Sequence, residues 1–110
     1  MAVDDYTSAL EINPTHFKAL YNRAFSYDKI GKLTFAIQDY TSALKINPKN
    51  ANAYHNRASI WDKLNEPEKA LCDFTQAILV QPGSASSYNS RGLVLDQQAS
   101  TTNKMLEFRN

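Results

Sequence analysis

Pro14, Pro48 and Pro82 stand 34 residues apart, and a fixed period of that length leaves few architectures open to the chain. Aligned on the prolines, residues 17–50 and 51–84 agree at 11 of 34 positions. The shared pairs include Asn22/Asn56, Arg23/Arg57, Ala24/Ala58, Asp28/Asp62, Ala36/Ala70, Asp39/Asp73 and Ala43/Ala77. Residues 1–14 match 35–48 at 10 of 14 positions, so the sequence opens midway through a repeat. Residues 85–98 keep the phase with Tyr88, Arg91, Gly92 and Asp96.

Each repeat holds two helical patterns. Leu20, Ala24, Tyr27 and Ile30 recur at three- and four-residue steps, as do Ala36, Ile37, Tyr40, Ala43 and Leu44. Either series lays one apolar stripe along a helix. Gly31 breaks the pattern between them, and Asn65 holds the same place in the next copy. The three periodic prolines follow the second helix, which they cannot extend. Pro67 opens a helix, where its missing N–H costs nothing. Helices are predicted near 3–12, 17–30, 34–46, 51–64, 67–80 and 85–98. Ala24, Ala58 and Gly92 each precede a bulky Tyr27, Trp61 or Leu95 by one turn, and Ala36 and Ala70 face them, so paired axes can approach closely.

These residues carry a family resemblance. The series Leu20, Ala24, Tyr27, Ala36, Tyr40, Ala43, Pro48 and its copy Tyr54, Ala58, Trp61, Ala70, Phe74, Ala77, Pro82 resemble the tetratricopeptide repeat. The resemblance implies an all-α, right-handed α-solenoid of antiparallel helix hairpins, whose first helices line a concave groove for a protein partner. It divides the chain into a partial repeat over 1–14, complete repeats over 17–50 and 51–84, and a degraded partial repeat with a tail over 85–110. Such a chain reads as a fragment of a longer array.

The ends raise a second expectation. In phase, Met105 falls on Ile37 and Leu71, Glu107 on Asp39 and Asp73, and Phe108 on Tyr40 and Phe74. The tail is either a short docked second helix or frayed, because Lys104 replaces the small Ala36 and Ala70. Helix 3–12 leaves an apolar flank uncovered, and uncapped repeat ends tend to associate. Head-to-tail stacking would then be heterologous, giving rings or filaments.

Composition narrows the partner class. The net charge of +1 gives no electrostatic reason for a nucleic acid or a membrane surface. No apolar run approaches the length of a membrane span, and the N-terminus is not a secretory signal. Cys72 is the single cysteine, which excludes an intrachain disulfide and points to a reducing, cytoplasmic location. His16 and His55 have no partner at metal-ligand spacing, and Gly31, Gly83 and Gly92 are isolated, so no phosphate loop exists. The sequence reads as a non-enzyme needing no cofactor.

Two sets of residues remain as candidate sites. Asn22, Asn56 and Ser90 share one phase on the first helices, and an asparagine offers both donor and acceptor to a peptide backbone. This row resembles the asparagine ladder of some tetratricopeptide superhelices. Around it lie Lys18, Tyr21, Phe25, Asn52, His55, Ser59 and Asn89, completing the predicted peptide groove. Asp28, Asp62 and Asp96 run beside Lys29 and Lys63, so the groove is not built for one charge. Another branch of the family clamps a terminal carboxylate with Lys and Arg; here Asn52, Asn56, Ser86 and Ser90 occupy those places, and the clamp is absent. The second set is Arg23, Arg57 and Arg91 with Asp5, Asp39, Asp73 and Glu107, one cation and one anion per repeat. An arginine fork takes a carboxylate bidentately, so these form a structural ladder in which Arg57 pairs with Asp39 or Asp73. The expected function is a scaffold binding an extended peptide. The alternatives are a self-assembly module and a substrate-recruiting segment of a larger enzyme.

Overall fold

In the computed structural model the backbone is described for residues 2–109 and side chains for residues 2–101. Six helices follow one another: α1 (Ala2–Ile12), α2 (Phe17–Lys29), α3 (Leu33–Ile46), α4 (Ala51–Lys63), α5 (Pro67–Val80) and α6 (Ala85–Arg109). The first five lie within about a residue of the expected bounds. Each helix packs on the next, and the described chain extends over 60 × 28 × 18 Å as an all-α solenoid of hairpins.

The same local chemistry starts and stops each hairpin. His16, Asn50 and Ser84 share one phase, and each side chain accepts a backbone N–H three residues on, at Ala19, Ala53 and Ser87. Such caps satisfy donors that a helix start leaves open. Between paired helices the backbone turns through the left-handed region, at Gly31 with φ 82° and at Asn65 with φ 59°. Lys32 N–H then reaches Tyr27 C=O, and Glu66 N–H reaches Trp61 C=O, closing the carbonyls of the finished helix.

The last helix departs from expectation. Instead of ending near residue 98, α6 continues without a break to Arg109. The physical reason is Ala99, which stands in phase with Gly31 and Asn65. Alanine is the best helix former and is penalised in the left-handed conformation by about 1–2 kcal/mol. Thr101 likewise stands where Pro67 opens α5. No turn forms, so the tail does not fold back as a separate hairpin helix. The positions expected to dock there, Lys104, Met105, Glu107 and Phe108, have side chains outside the described residues.

The core lies between paired helices and between successive hairpins. Ala24, Ala36, Ala58 and Ala70 are fully buried, which lets the axes close while Tyr40 and Phe74 fill the space between. Tyr40 packs with Ala24, Ala36, Leu44, Ala53 and Ile60, joining the first complete hairpin to the second. Its hydroxyl is buried with no partner at good hydrogen-bond geometry; burial, then the neighbouring Tyr21, raises its pKa above the ordinary phenol value, against a smaller opposing effect of the nearby Asn56 amide, whose hydrogen goes to Tyr21. A stranded hydroxyl costs about 1–3 kcal/mol of desolvation. Tyr40→Phe, which copies Phe74 one repeat on, is therefore expected to stabilise the fold by about 1 kcal/mol. Thermal unfolding checks this: a lower midpoint for the variant would mean the hydroxyl is satisfied in solution.

Candidate groove and arginine ladder

Curvature identifies the inner side of the stack. Helices α2 and α4 touch, as do α4 and α6, whereas α1, α3 and α5 do not touch one another. The first helices of successive hairpins therefore converge, and their free surfaces line the concave side.

An open cleft of about 430 Å³ lies between α2 and α4, lined by Phe17, Lys18, Tyr21, Asn22, Asn50 and Asn52. Four expected groove residues, Lys18, Tyr21, Asn22 and Asn52, meet there. Asn22 makes no side-chain hydrogen bond among the described residues, so its donor and acceptor are both unspent. Asn56 sits beside the cleft and donates through Nδ2 to Tyr21 Oη at 3.0 Å. That bond crosses from one hairpin to the next, and its carbonyl oxygen stays open. Tyr21 is fixed further by stacking on Phe17 at 6.0 Å and by the edge of Tyr40 at 5.6 Å. Rigid aromatic support of this kind preorganises a polar contact.

The remaining expected groove residues do not line this cleft. His55 Nδ1 lies 3.0 Å from Ser87 Oγ, and its ring meets Phe74 edge-on at 5.3 Å. It thus helps seat α6 on α4, and burial lowers its pKa. Phe25 is 44% exposed, with the Lys29 ammonium 5.0 Å above its ring. Asn89 is exposed, and Ser59 and Ser90 are half-buried. Lys63 reaches back to Asp28 at 3.0 Å, linking two members of the mixed charge rows across hairpins. The sequence pointed to neither Phe17 nor Asn50 as lining. The cap phase shared by His16, Asn50 and Ser84 was the available signal for the latter.

The arginine ladder sits on the opposite side of these helices. Arg23 donates through Nε and Nη2 to both Asp39 oxygens at 2.7 and 2.8 Å. Arg57 does the same to Asp73, also at 2.7 and 2.8 Å. The partner of Arg57 is thus Asp73 of its own hairpin and not Asp39. Asp39 and Asp73 are buried. In both arginines the carboxylate hydrogen bond outweighs desolvation and raises the pKa.

A threonine row completes the ladder. Arg23 Nη1 donates to Thr7 Oγ1 at 3.1 Å, Arg57 Nη1 to Thr41 Oγ1 at 3.0 Å, and Arg91 Nη1 to Thr75 Oγ1 at 3.5 Å. Arg23 and Arg57 thereby each tie the carboxylate of their own hairpin to the hydroxyl of the preceding one. The signal was in the sequence, since Thr7, Thr41 and Thr75 are spaced by the same 34 residues. Arg91 has no carboxylate among the described residues; Glu107, its partner by phase, lies outside them. Asp5 is exposed and likewise has no arginine partner there.

Among the described residues no cluster of three or more His, Cys, Asp or Glu could hold a metal ion. No helix there is long and apolar enough to cross a membrane.

Comparison with known proteins agrees with this geometry. Two tetratricopeptide repeat family models match residues 17–50 and 40–71, together spanning half the chain. No curated protein matches the sequence. Among solved structures, the Arabidopsis OM64 tetratricopeptide domain is similar at 27% identity, with 84% of this chain and 76% of that one covered and a TM-score of 0.80. The first such domain of human RPAP3 is 25% identical over 92% of this chain and 80% of its own, with a TM-score of 0.84. The first such domain of Spaghetti, solved with the HSP90 peptide SRMEEVD, is 24% identical over 88% and 77%, also with a TM-score of 0.84.

Proposed function

Because the chain belongs to the tetratricopeptide repeat family, we propose that it is a protein-interaction scaffold that takes an extended peptide across the concave faces of α2 and α4. The observation that carries this is the open cleft whose rim holds Asn22 with both polar groups unspent, beside Asn56 with its carbonyl oxygen free. A backbone segment of a peptide presents alternating N–H and C=O groups, which an asparagine amide can meet whatever the side chains. Successive first helices spaced by about 8–10 Å would engage an extended chain about every third residue.

The polar character of the cleft bears on the ligand. Lys18 is its one charged lining residue, and Asn52 and Asn56 stand where a carboxylate clamp would place cations. An acidic chain terminus of the kind in SRMEEVD is therefore a poorer match than the interior of a chain. Phe17 and Tyr21 add an apolar floor on which a side chain of the ligand can rest.

The test is a peptide selected from a random library on the wild-type chain, with affinity measured by fluorescence polarisation. Replacing Asn22 and Asn56 together by alanine removes about two hydrogen bonds, about 2 kcal/mol or some 30-fold in affinity. Asn22→Ala alone leaves the Tyr21 contact intact and should account for at least a few-fold. Unchanged affinity with unchanged helicity would count against the asparagine row as the binding element. Capture of a peptide that is then chemically altered would instead favour the recruiting segment of an enzyme.

A further inference from the structure

The second complete hairpin holds a cleft that the first one fills from within. On the ladder side, about 380 Å³ of open space is lined by Arg57 and Trp61 of α4 and by Glu68, Lys69, Cys72 and Asp73 of α5. Trp61 forms its aromatic wall. Tyr27 and Phe35 hold the places of Trp61 and Lys69 one repeat earlier, and there the two rings lie 5.4 Å apart, tilted by 31°. Phe35 thus covers the ring of its own hairpin. In the second hairpin the covering residue is Lys69, whose ammonium rests 4.6 Å from the centre of the Trp61 ring.

A lysine covers an indole less firmly than a ring does. Lys69 is exposed, and a solvent-exposed cation–π contact biases an equilibrium only about two- to fivefold. An aromatic ring brings apolar area as well as stacking geometry, so it can displace Lys69 from Trp61. The polar groups of the cleft decide what should accompany that ring. Asp73 has both oxygens taken by Arg57, and Glu68 accepts from Gln98 at 3.4 Å. The unspent groups are cationic donors: the Lys69 ammonium, and the N–H groups of Arg57 that neither Asp73 nor Thr41 takes. They complement a carboxylate.

We propose that this cleft is a second binding site, for a protein segment that presents an aromatic side chain beside a carboxylate. The incoming ring packs on Trp61 as Phe35 packs on Tyr27. Lys69 swings off the indole to meet the carboxylate, and Arg57 supplies further N–H groups from the floor. Every residue involved belongs to the second complete hairpin, which α3 and α6 flank. The site lies on the side opposite the α2–α4 cleft, so it stands or falls independently of peptide binding there.

Trp61 is the only tryptophan in the chain, so its indole N–H resonance, followed by heteronuclear NMR of the full chain, reports on this cleft. The probes are acetylated, amidated dipeptides added to about 10 mM, the range in which so small a ligand is held. Phe-Asp should shift the resonance saturably, with Phe-Lys and Ala-Asp each at least about fivefold weaker. Lys69→Phe copies Phe35, fills the place from within and should abolish the response. Lys69→Ala bares the Trp61 ring but removes the ammonium, so Phe-Asp should lose most of its advantage over Phe-Lys. This second variant and the peptide series read the site even if Lys69→Phe disturbs the hairpin. No saturable shift with Phe-Asp, an equal response to Ala-Asp or Phe-Lys, or an undiminished response in a helical Lys69→Phe overturns the proposal.

Discussion

Phe74→Ala is expected to destabilise the fold by about 4 kcal/mol and to release α6 while α2 and α3 remain folded. Phe74 is 2% exposed and packs with Ala58, Ala70 and Val94, where three helices meet. Its ring also supports His55, which holds Ser87 at the start of α6. The small neighbours cannot expand into the cavity, so the loss should lie toward the upper part of the usual range. Contacts in a solenoid run only between adjacent units, and among the described residues α6 touches only α5 and α4. Amide hydrogen exchange should therefore accelerate across residues 85–98 while protection persists in α2 and α3. Uniform loss of protection would show instead that the stack unfolds as one cooperative unit.

Arg57→Ala is expected to be nearly as damaging, at about 3 kcal/mol. It leaves the Asp73 carboxylate, whose side chain is 7% exposed, without either of its donors. It also removes the bond to Thr41 and so loosens the junction between hairpins. The Arg57 side chain is itself 19% exposed, which keeps the loss below that of a fully buried pair. Asp73→Ala alone should also destabilise, while the double variant should cost clearly less than the two singles summed. Urea unfolding of the four proteins gives the coupling, expected above 1 kcal/mol. The parallel cycle with Asp39 should show little, since that carboxylate is held by Arg23. Strong coupling to Asp39 and none to Asp73 would refute the pairing.

Much of this architecture is legible in the chain because a repeat states its instructions more than once. The prolines, the small alanines and the apolar steps of three and four fix hairpins of one size, and two copies in phase make coincidence untenable. The ladder residues could be grouped for the same reason. Their partners could not, because Arg57 lies at comparable sequence distance from Asp39 and Asp73, and only the way α4 packs on α5 selects one. The threonine row was equally periodic, but a hydroxyl carries no charge to suggest a partner.

The groove shows the opposite balance. Phase alone put His55 and Asn56 among residues free to meet a ligand. Packing turned the His55 ring toward Ser87 and Phe74, and gave one amide hydrogen of Asn56 to Tyr21. Local pattern places a side chain on a face, but the neighbouring hairpin decides which of its polar groups are already spent.

The sequence by itself determined the hairpin, its length and its small-to-large interlock, since these depend on steric and turn preferences that act within a few residues. Only the tertiary structure decided which carboxylate each arginine holds and which asparagine remains open, since those depend on contacts between hairpins. It also decided what the last helix does. Ala99 is an unremarkable residue until it is seen in the place of Gly31 and Asn65. There its reluctance to adopt a left-handed backbone keeps α6 straight and leaves Arg91 without a carboxylate among the described residues.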